Sequence, residues 1–334
     1  MKLALAPMAT LSHEALRLLI HRYGDPDEYF SEMIHAPSLL AGGQFEKWYV
    51  RPAPVPEKMV WQLTGPDTEP IVKAAARLAS LGGIGIDINM GCSAPDIFRS
   101  GAGIAWMSKP LPVVADLVHR VRTVIAASGS SGAACRLSVK LRLGEDENYP
   151  RLLEFCRMLV NEGVELITLH PRTRREKYAR PPKYQYIARL AGDLPVPVYG
   201  NGAISSPNTA IAYMRQYSCA GLMIGRAAVQ KPWLFHEIYL QKNDSQRDSE
   251  DSTPVDHLAV SFSFLDLLAE CQPPEFFLSR AKRFFFYYCD NFTFAHHLKM
   301  RIQNAKAPSE IRSLLEEYFE QVPDDRYADC LSSA

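Results

Sequence analysis

The chain has 334 residues, of which 47% are hydrophobic and 22% charged, an ordinary balance for a globular protein with a sizeable core rather than a disordered one. Lys plus Arg number 37, as do Asp plus Glu, so the net charge of zero carries no global nucleic-acid signal and any RNA surface has to be a local basic patch. Seven cysteines form no C-x-x-C pair, which argues against a zinc ribbon or redox dithiol; no apolar stretch nears the ~20 residues of a membrane span; and the N-terminal run breaks at Pro7 before it can be a signal peptide. Reduced thiols, no metal, no membrane and a cytoplasmic location are the expectations.

Short β-branched or apolar runs alternate with longer amphipathic stretches from residue 3 to about 240, the pattern of repeated β-α units. Eight runs can be placed, at 3–7, 29–33, 59–64, 85–89, 137–141, 166–170, 196–199 and 221–224. Eight units predict an α/β chain closed into a (β/α)8 TIM barrel over residues 1–240. An open doubly wound sheet would carry G-x-G-x-x-G after its first strand, where this chain reads Ala6-Pro7-Met8. Residues 241–254 hold no large apolar side chain and read as a polar linker, and helical spacing then returns in 255–334, predicting a C-terminal helical domain.

In such a barrel the reactive groups belong at the carboxyl ends of the strands. The fourth run leads into Asn89-Met90-Gly91-Cys92, the fifth carries Lys140 and then Arg142, and the sixth ends at His170 followed by Arg172. Lys140 and Arg142 stand at period-two spacing and so share a face, expected to be the barrel interior. Asn201-Gly202 and Gly225-Arg226 follow the seventh and eighth runs, where barrels hold phosphate on backbone N–H groups, and Arg226 can add a charge-assisted bond.

These motifs occur in order: APM at 6–8, QLTG at 62–65, INMGC at 88–92 with GAG at 101–103, VKLRLG at 139–144, HPRT at 170–173, NGAI at 201–204 and IGRAAVQKPWLF at 224–235. Together they resemble the tRNA-dihydrouridine synthase family, which reduces the 5,6 double bond of specific uridines with flavin mononucleotide (FMN) and electrons from NADPH. Two positions depart from its pattern: Ser93 stands where the family usually has proline, and Pro171 where it commonly has glycine.

The resemblance implies that Cys92 is the general acid, a free thiol being mostly protonated at neutral pH; a structural cysteine is the other reading. It places Lys140 and His170 against the flavin, Ala6, Pro7, Met8 and Gln62 along its ring, Asn201, Gly202, Gly225 and Arg226 at its phosphate, and Asn89 on the uracil. His170 is open to two further roles, general acid or satisfied core residue, and Arg172 to either a substrate phosphate or a salt bridge.

The RNA surface is expected in the tail, where residues 276–306 carry Arg280, Lys282, Arg283, Lys299, Arg301 and Lys306 against Asp290. Lys282, Arg283, Lys299 and Arg301 are the chosen contacts, and Phe284 to Tyr288 are expected mainly in a helix core. The partner is tRNA, with rRNA open and no obligatory protein partner in view. Two rival readings stand beside this one: a flavin barrel reducing a free pyrimidine, as in dihydroorotate dehydrogenases, and a catalytically silent RNA-binding protein.

Overall fold

A computed structural model describes residues 2–128, 135–176, 178–242 and 254–328. The sheet is parallel and closed. Its strands are β1 (Lys2–Leu5), β2 (Glu28–Phe30), β3 (Ile34–His35), β4 (Met59–Thr64), β5 (Gly85–Met90), β6 (Arg136–Leu141), β7 (Leu166–Leu169), β8 (Val198–Asn201) and β9 (Gly221–Ile224). They pair in the order β2-β1-β9-β8-β7-β6-β5-β4-β3, and pairing of β2 with β4 closes the ring. The expected (β/α)8 barrel is therefore present, with helices around it. Its strands are buried almost throughout, as strands covered on both sides must be.

Two strands differ from expectation. The second stave is split: β2 pairs with the start of β4 and β3 with its end. The hydroxyl of Ser31 accepts from the Gln62 N–H at 2.9 Å and donates to the Glu32 carbonyl at 2.8 Å. A side chain thus takes over one ladder position, and the strand breaks there. The seventh stave starts at Val198 rather than at 196, because Pro197 has no N–H to offer a ladder.

Beyond the barrel, helices span His257–Cys271, Pro274–Tyr288, Ala295–Asn304 and Pro308–Gln321, as the apolar spacing predicts. A short antiparallel pair, Val255–Asp256 with Tyr327–Ala328, ties the ends of this segment together and has no counterpart among the elements expected from the sequence. Phe264, Phe284, Phe285 and Tyr288 are buried in one continuous apolar cluster with barrel residues such as Leu16 and Leu19, so the tail is seated on the barrel. Of the expected linker, Gln241 and Lys242 complete the helix Leu234–Lys242, and 243–253 lie outside the described residues.

Candidate active site

Register sets the floor of the site. Gln62, Asp87 and Ser138 stand opposite one another on β4, β5 and β6, and all three are fully buried. Asp87 accepts from Gln62 Nε2 and from Ser138 Oγ, both at 2.7 Å. An acceptor at Asp87 fixes which end of the Gln62 amide faces it, so Gln62 Oε1 is turned to accept from Asn89 Nδ2 at 2.8 Å. Asn89 Oδ1 in turn accepts from the backbone N–H of Cys92 at 2.9 Å and of Gly91 at 3.2 Å. Burial pushes the Asp87 carboxyl up to about 6, while its hydrogen bonds and the nearby Lys140 and Arg136 favour the anion. Asp87 and Ser138 are members of this chain of hydrogen bonds to which the sequence assigns no role, and Asp87 is the one that joins Ser138 to Gln62. Its spacing is the signal, since it lies two residues before Asn89 and so shares its face.

The thiol loop is folded over by glycines. A Cβ at Gly91 would lie 3.1 Å from the Leu141 carbonyl carbon, and one at Gly103 (φ +60°) only 2.5 Å from the Cys92 carbonyl oxygen. Ile104 N–H donates to that same oxygen at 3.0 Å. The GAG motif thus closes the loop that carries Cys92. Of the six described cysteines, Cys92 alone is partly open and five are buried, which favours a reactive thiol over a structural one.

One residue pair above Gln62 and Asp87, Asn89 stands opposite Lys140, and Lys140 opposite Thr168. Burial, then the neighbouring Arg142, draws the Lys140 ammonium down to about 8. His170 is buried, and Arg172 donates to its Nε2 at 2.7 Å, so the ring is neutral with its proton on Nδ1. Burial and the cations Lys140, Arg142, Arg172 and Arg226 hold its protonation far below the usual histidine range. Such a ring has only its Nδ1 proton to donate. Arg172 spends its hydrogen bonds on His170 and on the Arg180 carbonyl, not on a carboxylate. The guanidinium carbons of Arg142, Arg172 and Arg226 lie 5.8, 5.8 and 4.4 Å from the ring centre of Tyr178, an exposed residue the sequence did not single out.

Across the mouth, Gly202 has φ +117°, and a Cβ there would meet His170 Cδ2 at 2.8 Å and Arg172 Nη1 at 3.3 Å. Only glycine lets this turn approach those two side chains. The Asn201 amide donates to the Met223 carbonyl at 2.7 Å, locking the ends of β8 and β9 together. Met8 Sδ lies 3.3 Å from where a Gly225 Cβ would be, and Ala6 N–H donates to the Ile224 carbonyl at 2.8 Å. The first strand's loop therefore lies over the last strand's turn, with Arg226 beside it. Cys92, Asn89, Gln62, Lys140, His170, Arg172, Asn201, Gly202, Gly225, Arg226 and residues 6–8 all gather at this one end of the barrel.

The basic tail residues lie elsewhere, on the helices Pro274–Tyr288 and Ala295–Asn304. Arg283 is exposed and Lys282 half-buried, with the Arg283 guanidinium 5.2 Å from the Tyr287 ring centre. Lys299 pairs with Asp290, and Arg301 with Glu317 at 2.6 Å, an acid contributed by the next helix. Arg280 must be withdrawn from the patch: it is buried and paired with Glu32 of the barrel at 3.1 Å. Among the described residues no cluster of His, Cys, Asp or Glu could hold a metal, and no helix is long and apolar enough to cross a membrane.

A closed parallel barrel that collects a partly open thiol, a lysine and glycine turns ringed by arginines at its strand ends defines a barrel enzyme. The profile of the family described as "Dihydrouridine synthase (Dus)" matches residues 4–323, and the chain belongs to that family of flavin-dependent oxidoreductases. It is 29% identical over 268 residues to tRNA-dihydrouridine synthase B of Pseudomonas putida, covering 78% of this chain and 77% of that protein. Similarity to tRNA-dihydrouridine(16) synthase of Neisseria meningitidis serogroup B is 27% over 323 residues, covering 95% and 94% of the two chains. Among solved structures, a complex of 2-naphthoyl-CoA reductase matches with TM-score 0.53 at 12% identity over 72% of this chain. A histamine dehydrogenase from Rhizobium sp. 4-9 matches with TM-score 0.53 at 13% identity over 80% of it. This chain spans about half of each of those two, 50% and 49%, and at such identity the likeness is one of fold.

Proposed function

We propose that this protein reduces specific uridines of tRNA to 5,6-dihydrouridine with FMN as its flavin and NADPH as electron donor, acting in the cytoplasm. The observation that carries this reading is the convergence of Cys92 and Lys140 at one strand-end layer, with the thiol loop held by the Asp87–Gln62–Asn89 chain.

The residues suit the flavin. Thr64 and Thr168, on inward positions of β4 and β7, have buried hydroxyls with no hydrogen-bond partner among the described residues, as expected of a mouth shaped for a polar ligand. Gly202 and Gly225 leave room for close backbone approach, and the Arg142, Arg172 and Arg226 cluster supplies positive charge for a phosphate. When bound, FMN supplies the hydride that goes to C6 of the uracil. Lys140 stabilises negative charge on the reduced ring, and neutral His170 donates from Nδ1 or packs against it. Ala6, Pro7 and Met8 border the ring; Gln62, completely buried, acts on it through its remaining N–H and through Asn89. Cys92 gives its proton to C5, and Asn89, with both amide ends already engaged, orients the uracil chiefly by holding the Cys92 loop.

The segment 255–334 forms the RNA-binding unit of the protein in this proposal. Lys282 and Arg283 contact phosphates directly, and Lys299 and Arg301 do so on parting from Asp290 and Glu317.

Mapping dihydrouridine by mass in tRNA from cells with and without the gene tests the proposal. Loss of the modification at defined positions is expected. An unchanged tRNA map, or a purified protein that neither carries nor binds FMN, overturns it.

A further inference from the structure

Among the described residues, one ion pair joins the C-terminal helices to the barrel, Arg280 with Glu32. Both side chains are 4% exposed. The Arg280 guanidinium is also sandwiched near the rings of Phe276 and Tyr49, at 4.9 and 5.7 Å. Glu32 sits in the break between β2 and β3, and its second oxygen does not face the tail. It accepts from the backbone N–H of Thr10 at 2.6 Å.

Thr10 has φ +64°, a left-handed conformation that a β-branched residue adopts only when something holds it there. It lies in the loop that begins with Pro7 and Met8. At its far end this loop closes on itself, Met8 N–H donating to Ser12 Oγ at 2.8 Å and the Leu11 and Ser12 N–H groups to the Met8 carbonyl at 3.1 and 3.0 Å, and Arg17 donates to the Ser12 carbonyl at 2.7 Å. At Thr10 the holding group is Glu32. Burial raises the Glu32 carboxyl above its usual range, and Arg280, with the Thr10 N–H and Arg17, opposes that rise. Met8, two residues before Thr10, covers Gly225 at the end of the neighbouring strand β9.

We propose that Arg280, a residue of the tail, is a positioning residue for the cofactor loop. Through Glu32 it keeps Thr10 in its strained conformation and so keeps Pro7 and Met8 placed for the flavin. The seating of the RNA-binding helices is thereby part of the flavin site. The inference rests on the FMN reading above and adds to it a residue on a different structural unit.

The test uses the full chain with Glu32→Met and Arg280→Met together, which removes both charges of the pair at similar volume and leaves buried Arg17 with Glu14 as its acid. FMN affinity is read by fluorescence titration of the apoprotein, and loop order by deuterium exchange over residues 8–12. The expected result is roughly tenfold weaker FMN binding, the worth of one charge-assisted hydrogen bond, with faster exchange in the loop. Val260→Ala, a truncation of a fully buried residue on the tail helix His257–Cys271, lowers stability while keeping Glu32, Arg280 and Thr10, and should leave FMN affinity at the parent value. Parent-like FMN affinity in the double variant, or an equal loss in Val260→Ala, overturns the inference while leaving the FMN reading intact. A parent protein that binds no FMN overturns both. Should the double variant fail to fold, Glu32→Gln keeps the volume and still offers Thr10 an acceptor, so loop exchange and FMN affinity should stay near the parent values, and a tenfold loss of FMN affinity with loop exchange unchanged overturns the inference as well.

Discussion

Arg172 donates to Nε2 of His170 at 2.7 Å, and burial, with the cations Lys140, Arg142, Arg172 and Arg226 around it, keeps the ring from taking up a second proton. The folded ring stays neutral where a free histidine, at 6.5, would begin to take up a proton. Below that pH the unfolded chain binds a proton that the folded one refuses, so stability falls as pH drops and is regained as pH rises. His257, drawn down to about 4 by burial, acts in the same direction. Asp87 acts oppositely: raised from 3.8 to about 6, it holds a proton in the folded state and contributes stability that is lost as pH rises through that window. Comparing parent with His170→Asn isolates one group. The stability difference between them should change by about 1.6 kcal/mol from pH 6.5 to pH 5, the slope rising toward about 1.4 kcal/mol per unit. A pH-independent difference in urea unfolding would show that His170 protonates normally.

Asp87 fixes the Gln62 amide and through it the Cys92 loop, so its replacement should be felt at the thiol. Asp87→Leu removes the acceptor, frees Gln62 to turn over, and should slow base reduction by ~10²-fold, the scale of an ångström-sized misplacement. Asp87→Asn can still present an oxygen to Gln62 and should cost much less. Single-turnover rates with pre-reduced flavin separate the two variants. If both were equally slow, charge at Asp87 rather than orientation would be the property that matters.

The cations of the tail should differ in their weight on RNA. Lys282→Ala and Arg283→Ala remove groups without a carboxylate partner among the described residues, and each should flatten the salt dependence of tRNA binding by roughly 0.7–0.9 in log–log slope for every phosphate no longer neutralised. Lys299→Ala and Arg301→Ala should have smaller effects, because Asp290 and Glu317 already neutralise part of their charge. Binding measured over a salt series checks this. Equal slopes for all four variants would mean that those ion pairs open on the RNA.

The barrel was legible because hydrophobic runs at strand length recur eight times, and its site because reactive residues fall at the ends of those runs. Local side-chain interception was not legible: nothing in the spelling of Ser31 announces that its hydroxyl will take the Gln62 N–H and split a strand. Partners distant in sequence were hidden too. Arg280 reads as one more cation in a basic stretch until the fold brings Glu32 to it from 248 positions away, and Glu317 neutralises Arg301 only once two helices stand side by side. Alternation within a strand could have found Asp87. Tyr178 lies in a loop with no periodicity, so only the three-dimensional gathering of arginines reveals it.

Cys92→Ala should leave flavin reduction by NADPH intact but slow base reduction strongly, because a proton at C5 is needed only in the second half-reaction. Losing a positioned general acid costs ~10²–10⁴-fold, far more than a packing change at a half-buried residue should. Serine is the sharper control. Its hydroxyl is a much weaker acid than a thiol, and it fits the same space beneath Gly103 and Ile104, so Cys92→Ser should restore the loop without restoring the rate. The measurement is single-turnover reduction of tRNA with pre-reduced flavin. If Cys92→Ser matched the parent, Cys92 could not be the proton donor. His170 is a poor substitute, since its ring accepts from Arg172 and stays neutral, leaving a bound water as the candidate acid. Ser93, standing where the family usually has proline, would then be the first residue to exchange, because it borders the thiol in the loop that Asn89 holds.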